Sequence, residues 1–299
     1  MALKGPAILI SNPRAGQNQA ARAAEVLRFC ASLRRHGVAV EAVDTAGPGD
    51  ATRLAEQAAA GGAGAVIISG GDGTVNEALQ GLAGTRARLA VWPRGTANVL
   101  AREMGLPFNA EKLAEVIARG QTRRLYIGCA TVEGTGEKRY FFLMAGVGLD
   151  ASVVRRVDPR LKRRLGRTAF WLSGLGHLFH WRPDPFCLEV NGETYPATFA
   201  AIGKAPRYGG GLAITPHARL DQPEFELCIV DSTSRLRFLH LLAHAMRGGL
   251  PRNMAGAQLI RATRARATGQ APVQADGELI GQLPMTFEIV PQPIEVIAP

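Results

Sequence analysis

The chain has 299 residues, 46% of them hydrophobic and 20% charged. That balance excludes wholesale disorder, and no run reaches the roughly 18 apolar residues of a membrane span. Thirty-five Lys and Arg against 25 Asp and Glu leave a net charge of +10, which suits an anionic partner such as a nucleotide or an acidic membrane surface. Residues 1–6 run straight into the strand-like Ala7–Ser11, without the basic start, apolar stretch and cleavage site of a secretory leader. The expected address is therefore cytoplasmic. Gln19–His36 sets Ala23, Val26, Leu27, Cys30 and Leu33 near a 3.6 period and predicts a helix. Val38–Val43 predicts a strand, and Asp50–Ala60 a helix with Asp50 as N-cap. Ala65–Ser69 predicts a buried strand, followed by a glycine-rich turn and a helix from about Val75 to Leu82. Arg88–Trp92 predicts a strand and Ala97–Met104 a helix. A β-α-β-α order of this kind builds a parallel sheet with helices on both faces.

From about Tyr126 the pattern changes. Strand-like runs follow one another at Tyr126–Thr131, Arg139–Ala145, Phe186–Val190, Glu193–Ala201, Glu226–Val230, Gln258–Ala267 and Pro272–Ala275. Two helical patterns interrupt them, Arg160–Phe179 and Ser234–Met246. The reading is a mainly antiparallel β-sandwich domain with helical insertions. Between Arg155 and Arg167 seven basic residues face only Asp158, and aromatic and aliphatic residues follow to Trp181. Cations beside such residues suit an anionic membrane interface, with a solvated basic helix face as the plainer alternative. No DNA- or RNA-binding motif is recognised, so nucleic acid is not an expected partner. Cys30, Cys129, Cys187 and Cys228 lack CxxC spacing and are expected as buried free thiols. His240 and His244 stand i, i+4 on a predicted helix without the Glu of a zinc-protease motif, and are expected as a core or surface pair.

Three turns carry the chemistry. In Val66–Glu77 a buried strand meets Gly70, Gly71 and Gly73 and opens onto a helix. Glycines let backbone approach a ligand, and amides at a helix start favour an anion. Asp72 in their midst would repel bare phosphate, and makes sense when a divalent cation lies between. The Gly-Lys-Ser/Thr ending of a Walker A loop is absent. Trp92-Pro93-Arg94-Gly95-Thr96-Ala97-Asn98 repeats the strand–turn–helix logic after the next strand, and Ser11-Asn12-Pro13-Arg14-Ala15-Gly16 does so after the first. Ligands bind at this carboxyl edge of open α/β sheets.

These turns, with Ala275-Asp276-Gly277-Glu278 near the end and Phe142–Asp150 in the middle, resemble the diacylglycerol kinase-type lipid kinases, a family that includes sphingosine kinases and bacterial lipid kinases. The resemblance spans almost the whole chain in order. It implies an α/β N-terminal domain with a parallel sheet, similar to NAD kinases and phosphofructokinases, over residues 1–125. A C-terminal strand at about 290–299 would complete that domain, and residues 126–289 would form a β-rich lipid-acceptor domain. It implies ATP as co-substrate held by Asn12, Gly70, Gly71, Gly73, Thr74, Gly95, Thr96 and Asn98, with Mg²⁺ at Asp72, through water. Asp276 would be the general base facing the lipid hydroxyl, with Glu278 beside it. Phosphoryl transfer does call for positioning, charge neutralisation and a group to take the alcohol proton. Asp276-Gly277 is also a strong hairpin-turn signal, and both roles are compatible.

Three positions depart from the family pattern. Val99 stands where an Asp commonly follows Asn98, Tyr126 stands where an Asp is common, and Asp221-Gln222-Pro223 replaces an Asp-Asp-Gly segment that helps hold a structural metal. A second, structural Mg²⁺ is accordingly not expected. The implied partner is a lipid at a membrane surface, with peripheral contact at the inner membrane face; a homo-oligomer stays open. The alternatives are an NAD kinase-like enzyme and a non-catalytic lipid-binding regulatory module.

Overall fold

The structure is a computed structural model that describes residues 3, 5–15, 21–149, 151–152, 183–208, 211–251, 254 and 256–299. The chain divides into two compact units, Met1–Leu125 with Gln292–Pro299, and Tyr126–Pro291.

The first unit is built on a six-stranded sheet. Its elements in chain order are β1 (Ala7–Ser11), α1 (Arg22–Arg35), β2 (Val40–Asp44), α2 (Asp50–Ala60), β3 (Ala65–Gly70), α3 (Asp72–Leu82), β4 (Arg88–Pro93), α4 (Val99–Glu103), α5 (Ala110–Arg119) and β5 (Thr122–Leu125). The last strand of the chain, β18 (Ile294–Ile297), returns to this sheet, whose order is β2-β1-β3-β4-β18-β5. All neighbours are parallel except β18 and β5. β3 is buried along its whole length, as expected for a strand covered on both faces. Leu9, Phe29, Ile67, Leu113 and Ile297 pack in one core, and Phe29 stacks on Trp92 with ring centroids 4.2 Å apart.

Several boundaries differ from the expectations, each for a local reason. Asp50 is the first helical residue of α2 and not its N-cap, because its carboxylate turns back to accept from the Ala46 and Gly47 amides. The Ala51 amide that a cap would serve donates instead to Glu77 of α3 at 2.9 Å. α3 starts at Asp72, earlier than Val75, so Gly73 and Thr74 belong to its first turn. The predicted helix Ala97–Met104 shortens to Val99–Glu103, because Asn98 is left-handed at φ 47°. α5 was not anticipated. Asn109 caps it through the Lys112 amide, and Leu113, Ala114 and Ile117 form its buried face.

The second unit is a sandwich of two antiparallel six-stranded sheets. Its elements are β6 (Gly128–Val132), β7 (Lys138–Phe141), β8 (Met144–Gly148), β9 (Phe186–Val190), β10 (Glu193–Ala197), β11 (Phe199–Gly203), β12 (Phe225–Val230), α6 (Arg235–Met246), β13 (Ala257–Ala262), β14 (Arg264–Gly269), β15 (Pro272–Ala275), β16 (Glu278–Gln282) and β17 (Met285–Ile289). One sheet runs β10-β9-β14-β17-β6-β7 and the other β13-β12-β11-β8-β15-β16. Phe141, Leu188 and Phe287 from the first meet Val147, Leu227 and Val273 from the second in a single core. The runs Glu193–Ala201 and Gln258–Ala267 each split into two strands in different sheets, at Thr198 and Thr263. Strands that switch sheets make the corners of such a sandwich. At the first corner the Thr198 hydroxyl donates to Ser232 O at 2.6 Å and holds the bend. The predicted helix Arg160–Phe179, the basic segment 155–167, Gly16 and Asp150 lie outside the described residues. All four cysteines are free, but only Cys30 and Cys228 are buried; Cys129 is half-buried and Cys187 exposed on an alternating strand.

Lys204 is fully buried in this unit. Its ammonium donates to the carbonyl oxygens of Arg219 at 2.8 Å, Glu224 at 3.1 Å and Gln222. These carbonyls bracket Asp221-Gln222-Pro223, one of the three departures from the family pattern. Burial pushes the Lys204 ammonium down to about 8, against the pull of Asp221 and Glu224. Because the folded value lies below that of an ordinary lysine, the unfolded chain binds more protons between the two. Lys204 therefore costs stability below pH 8, and that cost fades as the pH rises above it. Lys204→Met strands three buried carbonyls and is expected to lose about 3 kcal/mol. Urea melts of both proteins from pH 7 to pH 10 should show the gap widening with pH, as the wild type alone gains stability.

Candidate active site

In the first unit the three turns come together at the carboxyl ends of β1, β3 and β4. Gly70 ends β3 where an added Cβ would stand 2.6 Å from the Thr74 side chain. Gly71 and Gly95 abut backbone to backbone: a Cβ on Gly95 would fall 2.5 Å from the Gly71 Cα. The Arg94 amide donates to Gly70 O at 2.8 Å and locks the second loop to the first. From β1, the Asn12 amide donates to Ser69 O at 3.0 Å and its side chain donates to Thr74 Oγ1 at 3.0 Å.

Asn98 spans its own loop. Its Oδ1 accepts from the Gly95 amide at 2.8 Å and its Nδ2 donates to Gly95 O at 2.7 Å. Asp72 reaches across from α3 and caps α4, accepting from the Val99 amide at 3.0 Å and the Leu100 amide at 3.2 Å. Burial pushes the Asp72 carboxyl up from its usual range, and the amide bonds oppose the shift. Val99, the departure from the family pattern, thus supplies an amide that Asp72 uses. Asn12 and Asp72 hold the loops to one another and Asn98 braces its own, while Gly73 and Thr96 are exposed at their surface.

Arg22 was not anticipated from the sequence. It is buried at the start of α1, and its Nη2 donates to Ser69 O and Ser69 Oγ, both at 3.2 Å. Arg22 and Arg94 both lie over the Trp92 ring, at 6.0 and 5.3 Å from its centroid, and Arg94 is ion-paired with Glu25. Burial, then the neighbouring Arg94, lowers the Arg22 pKa from its ordinary value. Its Nε and Nη1, and the Ser11 hydroxyl, have no partner among the described residues. An arginine soon after the first loop is the only sequence signal that could have marked it.

Among the described residues no cluster of three or more His, Cys, Asp or Glu is placed to hold a metal. Mg²⁺ keeps most of its shell as water and substrate phosphate, with one or two carboxylates. Asp72 is the carboxylate that lies among the loops, and its oxygens accept from the Val99 and Leu100 amides.

In the second unit Asp276 and Gly277 are the two loop residues of the β15–β16 hairpin, with φ of 48° and 87°. Positive φ at both is what a type I′ turn requires. The Asp276 carboxylate accepts from three consecutive amides at 2.9 Å: Phe142 on Oδ2, and Leu143 and Met144 on Oδ1. Its own amide donates to Met144 O at 2.9 Å. These bonds break the predicted strand Arg139–Ala145 into β7 and β8, since three amides leave the ladder to meet a side chain. Gln274, fully buried, accepts from the Gly277 amide at 2.7 Å and from the Tyr208 hydroxyl at 3.1 Å. Glu278 is exposed, and its carboxylate is ion-paired with Arg139. The Tyr126 amide donates to Leu220 O at 2.9 Å.

With the geometry in view, the comparisons speak to class. Residues 6–130 match the model of the diacylglycerol kinase catalytic domain, and residues 144–298 match that of the YegS C-terminal NAD kinase beta sandwich-like domain. A diacylglycerol kinase of Mycobacterium tuberculosis is 32% identical over 305 residues, covering 99% of this chain and 96% of the relative. One of Bacillus subtilis (strain 168) is 31% identical, covering 84% and 83%. Two crystal structures from Bacillus anthracis str. Sterne share the fold over 98% of this chain and 97% of theirs, at TM-scores of 0.80 and 0.73 and 23% and 20% identity. The second is described as a diacylglycerol kinase. These matches define a lipid kinase with an α/β catalytic domain and a β-sandwich-like domain. The chain belongs to the diacylglycerol kinase family.

Asp72→Ala would orphan the Val99 and Leu100 amides. The expected loss is about 1–2 kcal/mol, the size of a missing helix cap, read as a lower melting temperature. Asp72→Asn keeps an acceptor for one amide and should fall between that variant and the wild type.

Proposed function

We propose that this chain transfers the γ-phosphoryl group of ATP to a lipid hydroxyl, with diacylglycerol as the first acceptor to test. The loops Gly70–Thr74 and Arg94–Asn98 receive the nucleotide phosphates, Asp72 holds Mg²⁺ through water, and Asp276 takes the hydroxyl proton. The acceptor oxygen forms a bond to the γ-phosphorus, the bond from that phosphorus to the ADP oxygen breaks, and the proton passes to the Asp276 carboxylate. Bound Mg²⁺ would neutralise charge on the phosphates.

The observation that carries the reading is the clamp on Asp276. Three backbone amides fix one carboxylate at the tip of a tight hairpin. A group so fixed needs little reorganisation to meet a proton, which is what positioning contributes to catalysis. The loops support the nucleotide half. Bare glycine backbone at Gly71 and Gly95 lets the two loops close on one another, and the first turn of α3 presents amides to an anion. Glu278, through its ion pair with Arg139, would steady the hairpin. No helix among the described residues is long and apolar enough to cross a membrane, so lipid would be met at a surface.

The test is transfer of ³²P from γ-labelled ATP with Mg²⁺ to mixed micelles of diacylglycerol, a sphingoid base or ceramide, and to NAD, resolved by thin-layer chromatography. Labelled diacylglycerol is the expected product. Labelled NADP as the sole product would overturn the lipid assignment, and nucleotide binding without any product would point to a regulatory lipid binder. Asp276→Asn should lower kcat at least ~100-fold, the lower end of a general-base contribution, with nucleotide affinity near wild type. Near-normal turnover in that variant would remove Asp276 from the base role.

A further inference from the structure

Helix α6 lies over the sandwich with an outer face that the proposed reaction does not use. It packs inward through Phe238, Leu241 and Ala245, and Phe238 meets Phe199 edge to face at 6.2 Å. Outward it leaves Leu236 77% and Met246 62% exposed. At about 100° per residue, Leu236, Leu239 and Met246 fall on that outer face with Arg235 and Arg247 on either side of them, and His240 and His244 lie beyond Arg247. The exposed surface sets apolar side chains between arginines.

Its charge is one-sided. From Ser232 to Ala275 the chain has seven arginines and no carboxylate. The three on β13 and β14 are paired across strands, Arg261 with Glu224, Arg264 with Glu288 and Arg266 with Glu133. Arg235, Arg237 and Arg247, on α6 and its C-cap, make no ion pair among the described residues. Unpaired guanidinium groups beside exposed leucine and methionine match an anionic lipid surface, where the apolar side chains enter the acyl boundary and the cations meet headgroups. A second copy of this chain fits poorly, because a twofold contact through α6 would set arginine against arginine on a chain already at +10.

We propose that α6 is a membrane-docking helix that seats the protein on anionic bilayers. The inference rests on the lipid-kinase reading, which supplies a reason to meet a bilayer. It also deepens that reading, because α6 is joined to the acceptor hairpin. The Ala213 amide donates to Ala245 O at 2.9 Å. The loop that carries Ala213 also carries Tyr208, whose hydroxyl reaches Gln274, the residue that holds the Gly277 amide.

The experiment uses the full chain and sedimentable vesicles of phosphatidylcholine, with and without about a third phosphatidylglycerol. Wild type should bind the anionic vesicles and lose affinity with added salt. Leu236→Glu with Met246→Glu should weaken that binding at least ~10-fold. Arg235→Gln and Arg247→Gln should each weaken it about fivefold, on anionic vesicles only. Phosphorylation of diacylglycerol embedded in vesicles should fall with binding, while that of a short-chain diacylglycerol in detergent should stay at the wild-type rate. Unchanged vesicle binding by the double variant would overturn the proposal. So would a wild-type dimer that the double variant dissolves, which would make the face a protein contact. Loss of vesicle binding in a protein that phosphorylates no lipid would instead sink the kinase reading and leave the docking helix standing.

Discussion

The second unit depends on one carboxylate. Asp276 draws three consecutive amides, Phe142 to Met144, out of the β ladder. An apolar run that would otherwise be a single strand becomes β7 in one sheet and β8 in the other. The same clamp fixes the β15–β16 hairpin to β8, where Val273, Gln274 and Ala275 already pair with Val147, Gly146 and Ala145. Hydrogen bonds to a charged acceptor contribute about 1.5–3 kcal/mol each, enough to outweigh the ladder bonds given up. The group proposed to receive the proton is thus also a fixed joint of the sandwich, and its position is set by backbone more than by side-chain packing.

The first unit solves a different problem, how to bring two loops into backbone contact at the end of a parallel sheet. Gly71 and Gly95 allow contact that any Cβ would prevent. Asp72 then fastens one loop to the other through the Val99 and Leu100 amides, and Asn98 closes its own loop on Gly95. A carboxylate at the start of α3 is favoured by the helix dipole, and its oxygens serve the start of α4 at the same time. The polar side chains singled out as ligands therefore act first as ties, and Gly73 and Thr96 are what the loops expose.

The parallel sheet was legible because each strand is an apolar run and each turn is glycine-punctuated. The family resemblance supplied the order of the motifs and the return of the last strand. What stayed hidden is long-range. Arg139–Ala145 is an apolar run that reads as one strand, and nothing within it announces an aspartate more than a hundred residues away. Glu193–Ala201 and Gln258–Ala267 hide their corners for the same reason, since a sheet switch costs no change of period. Asp50 shows the converse error. A good capping residue at the right position was drawn off by two amides of the preceding turn, while Glu77 on another helix took its place. α5 was not anticipated, although Leu113, Ala114 and Ile117 give it a helical period and Asn109 caps it.

Charge placement connects these features. An excess of ten cations is a cost unless each one is solvated, paired or used. Lys204 is buried on three carbonyls and takes the part of an internal ion in the sandwich. Arg22 is buried on Ser69 near the end of β3, and its Nε and Nη1 have no partner among the described residues. The arginines of β13 and β14 are matched across strands by carboxylates that precede or follow them by many residues. Each of these cations has a protein-side reason for its place. The arginines of α6 make no ion pair among the described residues, and they sit beside the leucine and methionine most exposed among them. Folding would favour covering such side chains or neutralising such charges, and the proposed bilayer contact would do both.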